Sequence, residues 1–291
     1  MAGPVKYQGK PSWIRQKVPG GEIYNFIDNI VKEKKLHTVC KSAGCPNLAE
    51  CWSGGTASLM ILGEICTRGC RFCEVAKGRP VSYDKDEPYR VAESIRMMKL
   101  RHVVITSVAR DDLEDQGAQL WAETIREVRR EAPECNIEVL IPDLQGRPDL
   151  LDVILDANPD ILGHNFETVE RLQKKIRGKA NLRDSSLVLR HAKSRGFVVK
   201  TGIMLGLGER QPEIEEMILY CARLQVDILT IGQYLQPNKK LLPVIEMITP
   251  EMFNYYKKFA LGHGIRVCES SPMQRSSFRA EQSAFLIKGH L

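Results

Sequence analysis

From position 58 onward, short apolar runs alternate with stretches whose apolar residues recur at helical spacing. The runs at 59–65, 102–109, 137–142, 161–164, 197–205, 227–234 and 265–268 are rich in valine and isoleucine and mostly lack polar alternation. That is the pattern of strands buried on both faces. Between them, 89–100 sets Val91, Ile95 and Met98 on one stripe, and 117–132 and 150–157 follow. The helices predicted at 212–224 and 250–261 both begin with proline, Thr249 is placed to cap the second, and Gly262 and Gly264 end it. Repeated strand–helix units imply right-handed crossovers and a parallel α/β sheet. About six units, with no glycine fingerprint of a dinucleotide fold after the first strand, favour a closed or partly open barrel. In such barrels the chemistry gathers at the C-terminal ends of the strands. The segment before Ser58 and the tail after Ser270 are expected to cover that face.

Composition changes this picture little. An apolar content of 43% is ordinary for a globular protein, and no run of eighteen apolar residues exists. Residues 1–21 have several basic side chains and three prolines but no acidic residue. They lack the apolar stretch of a secretory signal and read as an extended arm. The expected location is the cytoplasm, with a mitochondrial or plastid form left open. A net charge of +6 suits an acidic protein partner and is too weak to imply nucleic acid. No membrane association is expected.

The nine cysteines change it a great deal. Without a secretion signal they point to metal or redox chemistry before disulfides. Six lie between positions 40 and 73, whereas Cys135, Cys221 and Cys268 are scattered and read as ordinary buried thiols. Cys66, Cys70 and Cys73 follow the first strand in one short loop, Cys-Thr-Arg-Gly-Cys-Arg-Phe-Cys. A cubane iron–sulfur cluster takes four ligands, usually thiolates. Three leave one iron open to chelate S-adenosylmethionine and pass an electron to its sulfonium. A zinc knot is the plainer alternative, but it prefers a fourth Cys or His nearby, and the loop has no histidine. Cys40, Cys45 and Cys51 form a second triplet with intervals of four and five residues, too long for a standard zinc ribbon and suited to a second cubane.

Phe72, just before the last cysteine, matches the aromatic of radical S-adenosylmethionine enzymes, and the chain from about Trp13 to about Ala280 resembles the lipoyl synthase family. The resemblance is carried by both triplets in this order, by 37–40 (His-Thr-Val-Cys) and by 46–52 (Pro-Asn-Leu-Ala-Glu-Cys-Trp). It continues through 106–113, 164–168, 200–209 and 231–237, and ends at 275–278, Arg-Ser-Ser-Phe, where the family usually has tyrosine last.

The resemblance implies a partial (β/α)6-type barrel at 58–270. An N-terminal extension at 1–57 would carry the auxiliary cluster cysteines, and a C-terminal segment at 271–291 would supply a serine ligand. It also implies two 4Fe–4S clusters, one on Cys66, Cys70 and Cys73 and an auxiliary one on Cys40, Cys45, Cys51 and Ser277, with Ser276 the nearest competitor for the last place. A serine oxygen is a harder, weaker partner for iron than thiolate, so that iron could be released when the cluster is dismantled. S-adenosylmethionine would lie against Phe72, Thr106, Ser107, Asn165, Glu167 and Lys200, with Gly206 and Gly208 near adenine. His164 reads as a satisfied core histidine, and Arg110, Asp111 and Asp112 as a solvated loop or helix cap with a possible acid–base role.

The implied reaction inserts sulfur at C6 and C8 of an octanoyl chain on a lysine of a lipoyl carrier. The carriers would be E2 subunits of 2-oxoacid dehydrogenases or the glycine cleavage H protein. A flavodoxin or ferredoxin would supply electrons, and an iron–sulfur carrier would rebuild the auxiliary cluster. Two rivals remain at this stage. A biotin-synthase-like enzyme predicts auxiliary ligands dispersed along the barrel strands, and a two-cubane electron carrier predicts no S-adenosylmethionine pocket.

Overall fold

The computed structural model describes residues 11–14, 18–53 and 56–289. Much of the expected N-terminal arm, residues 1–10 and 15–17, therefore lies outside the described residues. Seven parallel strands pair in chain order: β1 (Ser58–Ile61), β2 (His102–Ser107), β3 (Asn136–Leu140), β4 (Ile161–Gly163), β5 (Val198–Leu205), β6 (Ile228–Gln233) and β7 (Val267–Ser271). Helices follow each of the first six, at Glu87–Met97, Ala118–Glu131, Pro148–Leu155, Leu182–Ser194, Gln211–Arg223 and Pro250–Gly262. Six strand–helix units and a last strand thus make the parallel α/β barrel that the apolar pattern predicts.

The barrel is open. β7 forms one edge of the sheet, while beyond β1 the two-residue strand His37–Thr38 pairs antiparallel with it. Met60 of β1, Thr106 of β2, Leu140 of β3, Ile203 of β5 and Thr230 of β6 all line one cavity, so the sheet curls around a common axis.

Two local findings depart from the apolar pattern. β1 stops at Ile61 because Leu62 (φ 68°) and Gly63 (φ 87°) turn the chain into the left-handed region. The predicted continuation to 65 is instead a separate strand, Ile65–Cys66, paired with Ala76–Lys77. The helix Leu182–Ser194 was not anticipated. Its signals are an Asn181 side chain that accepts the Asp184 N–H at 2.9 Å and an inward stripe of Ser185, Val188, Leu189 and Ala192. Thr249 does cap its helix, accepting the Met252 N–H, with Pro250 in the first turn.

The tail after β7 divides its work between the two ends of the barrel. Residues 274–277 line the cavity at the C-terminal ends of the strands. The helix Ala280–Gly289 goes the other way, setting Ala284 and Ile287 against Ile161, Ile228 and Val267, the first residues of β4, β6 and β7. The tail therefore does not only cover the active-site face. It also plugs the opposite mouth with apolar side chains.

Candidate radical and iron–sulfur site

The cavity has a volume of about 510 Å³. Five cysteines reach it from two sides: Cys66, Cys70 and Cys73 from the loop after β1, and Cys40 and Cys45 from the segment before it. Cys51 faces a second, water-sized space behind it, and Ser277 lines both spaces. Ser276 instead exchanges hydrogen bonds with Asn165, accepting from Nδ2 at 2.8 Å and donating to Oδ1 at 3.2 Å. The two adjacent serines thus face different partners, and only Ser277 stands beside Cys51.

Within each triplet the thiols feel one another's charge. Burial, then the charges of Cys40 and Cys45, push Cys51 up to about 12. Burial and then Cys45 push Cys40 to about 11. In the other triplet, burial and then Cys73 push Cys70 to about 12. Such thiols stay neutral by themselves and give up their protons only to a strong positive charge such as iron. Among the described residues no three His, Cys, Asp or Glu side chains gather closely enough to hold a single metal ion. Thiols are the usual donors to an iron–sulfur cluster. Cys66 Sγ also receives the backbone N–H groups of Arg68 and Ala109, each at 3.4 Å, the kind of contact that tunes a ligating sulfur.

A buried ionic frame holds the Cys66–Cys73 loop. Arg68 places Nη1 2.7 Å from Asp143 Oδ1 and Nη2 2.7 Å from Asp111 Oδ1, with Nε 3.0 Å from Asp111 Oδ2. Burial raises both carboxyls, but Arg68 outweighs it and leaves both below the ordinary carboxylate range. Asp111 is thus a buried partner of the cysteine loop, not a solvated residue or a helix cap. Asp112 pairs with the buried Arg110 at 2.8 Å.

A second frame was not visible in the sequence. The buried Arg177 donates to Ser185 Oγ at 2.8 Å, and that hydroxyl lies 2.9 Å from His164 Nε2. His164 Nδ1 sits 2.8 Å from the Ile141 carbonyl, and burial followed by Arg177 presses its pKa to about 4. It is a neutral, satisfied histidine, as expected, though it does border the cavity. Burial raises the pKa of Glu167, which Arg177 partly offsets, and its backbone is held at φ 67°, an uncommon conformation for glutamate.

Of the residues expected to meet S-adenosylmethionine, Phe72, Thr106, Ser107, Asn165 and Glu167 line the cavity. Ser107 Oγ is buried there with no hydrogen-bond partner among the described residues, as fits a group waiting for a polar ligand. At Gly202 a Cβ would come within 2.6 Å of Thr230 Oγ1, so the floor stays open only for glycine. Gly206 and Gly208 (φ 102° and 104°) form the turn after β5 and do not line the cavity.

Lys200 does not belong to this site. It sits low on β5 with Nζ 2.7 Å from Glu138 Oε1, and His102 Nε2 lies 3.4 Å from the other oxygen. Burial works against the Glu138 carboxylate, but Lys200 and then His102 outweigh it and keep its pKa below the ordinary range. The lysine is committed to a buried ion pair beneath the cavity.

A partial parallel barrel with a Cys-x3-Cys-x2-Cys loop at the end of its first strand defines a radical S-adenosylmethionine enzyme. The Radical SAM superfamily model matches residues 60–221, more than half of the chain. The fold resembles that of coproporphyrinogen III oxidase from Escherichia coli, a radical SAM enzyme, at a TM-score of 0.52 and 14% identity, over 71% of this chain and 52% of that one. Within the superfamily the chain belongs to the lipoyl synthase family. It is 50% identical over 273 residues to the lipoyl synthase of Parabacteroides distasonis, covering 94% of this chain and 97% of the relative. It is 50% identical over 280 residues to that of Bacteroides fragilis, covering 96% and 97%. The protein is therefore an enzyme that inserts sulfur, and its superfamily works with S-adenosylmethionine and a 4Fe–4S cluster.

Proposed function

We propose that this enzyme inserts two sulfur atoms, at C6 and C8, into an octanoyl chain carried on a lysine of a lipoyl carrier protein. The single observation that supports this most is that cysteines of both triplets border one cavity. Cys66, Cys70 and Cys73 would hold one 4Fe–4S cluster, and Cys40, Cys45, Cys51 and Ser277 a second. When bound, the first supplies the electron that splits S-adenosylmethionine, and the second supplies the sulfur.

The chain's own residues arrange the rest. Phe72, Thr106, Ser107, Asn165 and Glu167 would orient the methionyl and ribose groups, with Ser107 offering a free hydroxyl and Asn165 held in place by Ser276. Met60, Val108, Ile141, Met204 and Leu235 give the cavity an apolar wall that suits an alkyl chain and excludes water. Lys200 takes no part. Residues 1–57, 58–270 and 271–291 would act as auxiliary-cluster arm, barrel and ligand-bearing tail. No helix among the described residues is long and apolar enough to cross a membrane. We assign the enzyme to the cytoplasm. Its partners would be octanoylated E2 and H-protein carriers, a flavodoxin or ferredoxin, and an iron–sulfur carrier that restores the consumed cluster.

The test is anaerobic reconstitution with S-adenosylmethionine, a strong reductant and an octanoyl-lysine peptide, followed by mass spectrometry. Gain of two sulfurs with release of 5′-deoxyadenosine is the expected result. Deoxyadenosine without sulfur gain would move the substrate elsewhere, and neither product from protein holding both clusters would defeat the reading.

A further inference from the structure

Three segments that wall the cavity also carry exposed cations. The cysteine loop contributes Cys70, Phe72 and Cys73 to the lining and turns Arg71 and Lys77 to solvent. The segment after β4 lends the buried Arg177 and Ala180 to the lining while exposing Lys174, Lys175 and Lys179. The loop after β6 lines the cavity with Leu235, Gln236 and Pro237 and exposes Lys239 and Lys240 immediately beyond.

These segments touch one another. The Arg71 N–H donates to the Ile176 carbonyl at 2.8 Å, and the Leu242 N–H donates to the Arg71 carbonyl at 3.2 Å. Asn238 Nδ2 donates to Glu74 Oε1 at 3.1 Å, closing the loop after β6 onto the cysteine loop. The seven exposed cations therefore form one rim, and none of their side chains makes a hydrogen bond or ion pair among the described residues.

The composition of the rim separates it from the rest of the surface. Residues 69–77, 174–179 and 235–242 hold eight lysines and arginines and one carboxylate, Glu74, which Asn238 occupies. The whole chain has 42 basic residues against 36 acidic ones, so its modest positive excess is concentrated here. Elsewhere cations commonly have carboxylate partners, as in Arg171–Glu213 and Lys193–Asp227. A one-sign field around the entrance to a cavity steers an oppositely charged partner and sets its orientation more than it adds affinity.

We propose that this rim is a docking surface for a folded protein domain with an acidic face, the carrier of the acyl-lysine. The proposal rests on the functional reading above and adds the surface through which the carrier is recognised. The acyl-lysine arm enters the cavity, while Lys174, Lys175, Lys239 and Lys240 meet carboxylates of the domain around it.

The test compares wild-type holoenzyme with the variant Lys174→Glu/Lys175→Glu/Lys239→Glu/Lys240→Glu, using dithionite as reductant. Each is given an octanoylated acidic carrier domain and, separately, an octanoyl-lysine peptide without acidic residues. The variant is expected to raise KM for the carrier domain about tenfold or more and to flatten its salt dependence. Peptide turnover and iron content are expected to stay at wild-type levels. Equal loss on both substrates, or no loss on either, would overturn the proposal. A defect seen only when a flavodoxin replaces dithionite would overturn it too, and would assign the rim to the electron donor. Failure of the wild type on both substrates would strike the functional reading instead, which keeps the two failures apart.

Discussion

Arg68 and Asp143 meet at 2.7 Å, joining the middle of the first cysteine loop to the end of β3. The same guanidinium grips Asp111 after β2, so three successive strand ends are tied through one side chain. All three side chains are at least nine-tenths buried.

Arg68→Met should therefore strand two buried carboxylates. The expected loss is about 3–5 kcal/mol of apoprotein stability, read by urea unfolding under anaerobic conditions. Reconstituted variant should hold less iron at Cys66, Cys70 and Cys73. Unchanged unfolding would mean that the frame is not structural.

Gly232→Ala should act on the other triplet. A Cβ there would lie 2.1 Å from the Gln274 carbonyl oxygen, so the segment ending in Ser277 must shift. Iron per chain should fall towards half, with the loss confined to the auxiliary site. Mössbauer spectra showing both sites intact would refute this account of the tail.

Lys200→Met should leave the Glu138 carboxylate buried with only His102 nearby. A destabilisation of about 3–5 kcal/mol is expected, and adding Glu138→Leu should recover most of it. Deoxyadenosine formation per folded enzyme should be unaffected. A selective rise in KM for S-adenosylmethionine would return Lys200 to the pocket.

Glu87, which does not line the cavity, gives a pH signature of its own. Burial pushes its carboxyl up to about 7, although the Leu62 N–H donates to it at 2.6 Å. The folded state thus binds the proton more tightly than the unfolded chain, whose carboxyl titrates near 4.5. The stabilisation that the proton brings is complete below pH 4.5 and is lost as pH rises through 7, by roughly 3 kcal/mol. Glu87→Gln keeps an acceptor for Leu62 and should remove this slope. Urea unfolding at pH 5 and pH 8 measures it, and parallel curves for variant and wild type would sink the assignment.

What could be read in the sequence was whatever depends on neighbours along the chain. The Thr249 cap and the apolar runs are local, and the structure forms the cap and the strands, although β1 ends at Ile61 and not at 65. What failed depends on depth or on distant pairing. Lys200 stands on a strand that ends in the pocket, but it sits too low on that strand and faces Glu138. Asp111 looked solvated because its partner lies in another loop. Arg177 gave no signal among Lys174, Lys175 and Lys179, since nothing in the spacing says which of four cations turns inward. The helix Leu182–Ser194 was hidden because its buried stripe begins with serines bound to His164, Arg177 and Tyr220.

The auxiliary wall of the cavity is closed by contacts between segments at opposite ends of the fold. Asn47 donates to the Met273 carbonyl at 2.7 Å, and Glu50 pairs with Arg279 at 3.0 Å, across separations of 226 and 229 residues. Loop closure over that distance is the slowest kind, and it is rewarded only after the barrel between has formed. The Cys40–Cys51 segment is thus held against the tail by contacts that depend on both ends of the chain having come together. The same clasp consists of side-chain contacts outside the strand ladder, so breaking it would free that wall while leaving the barrel's strand pairing intact.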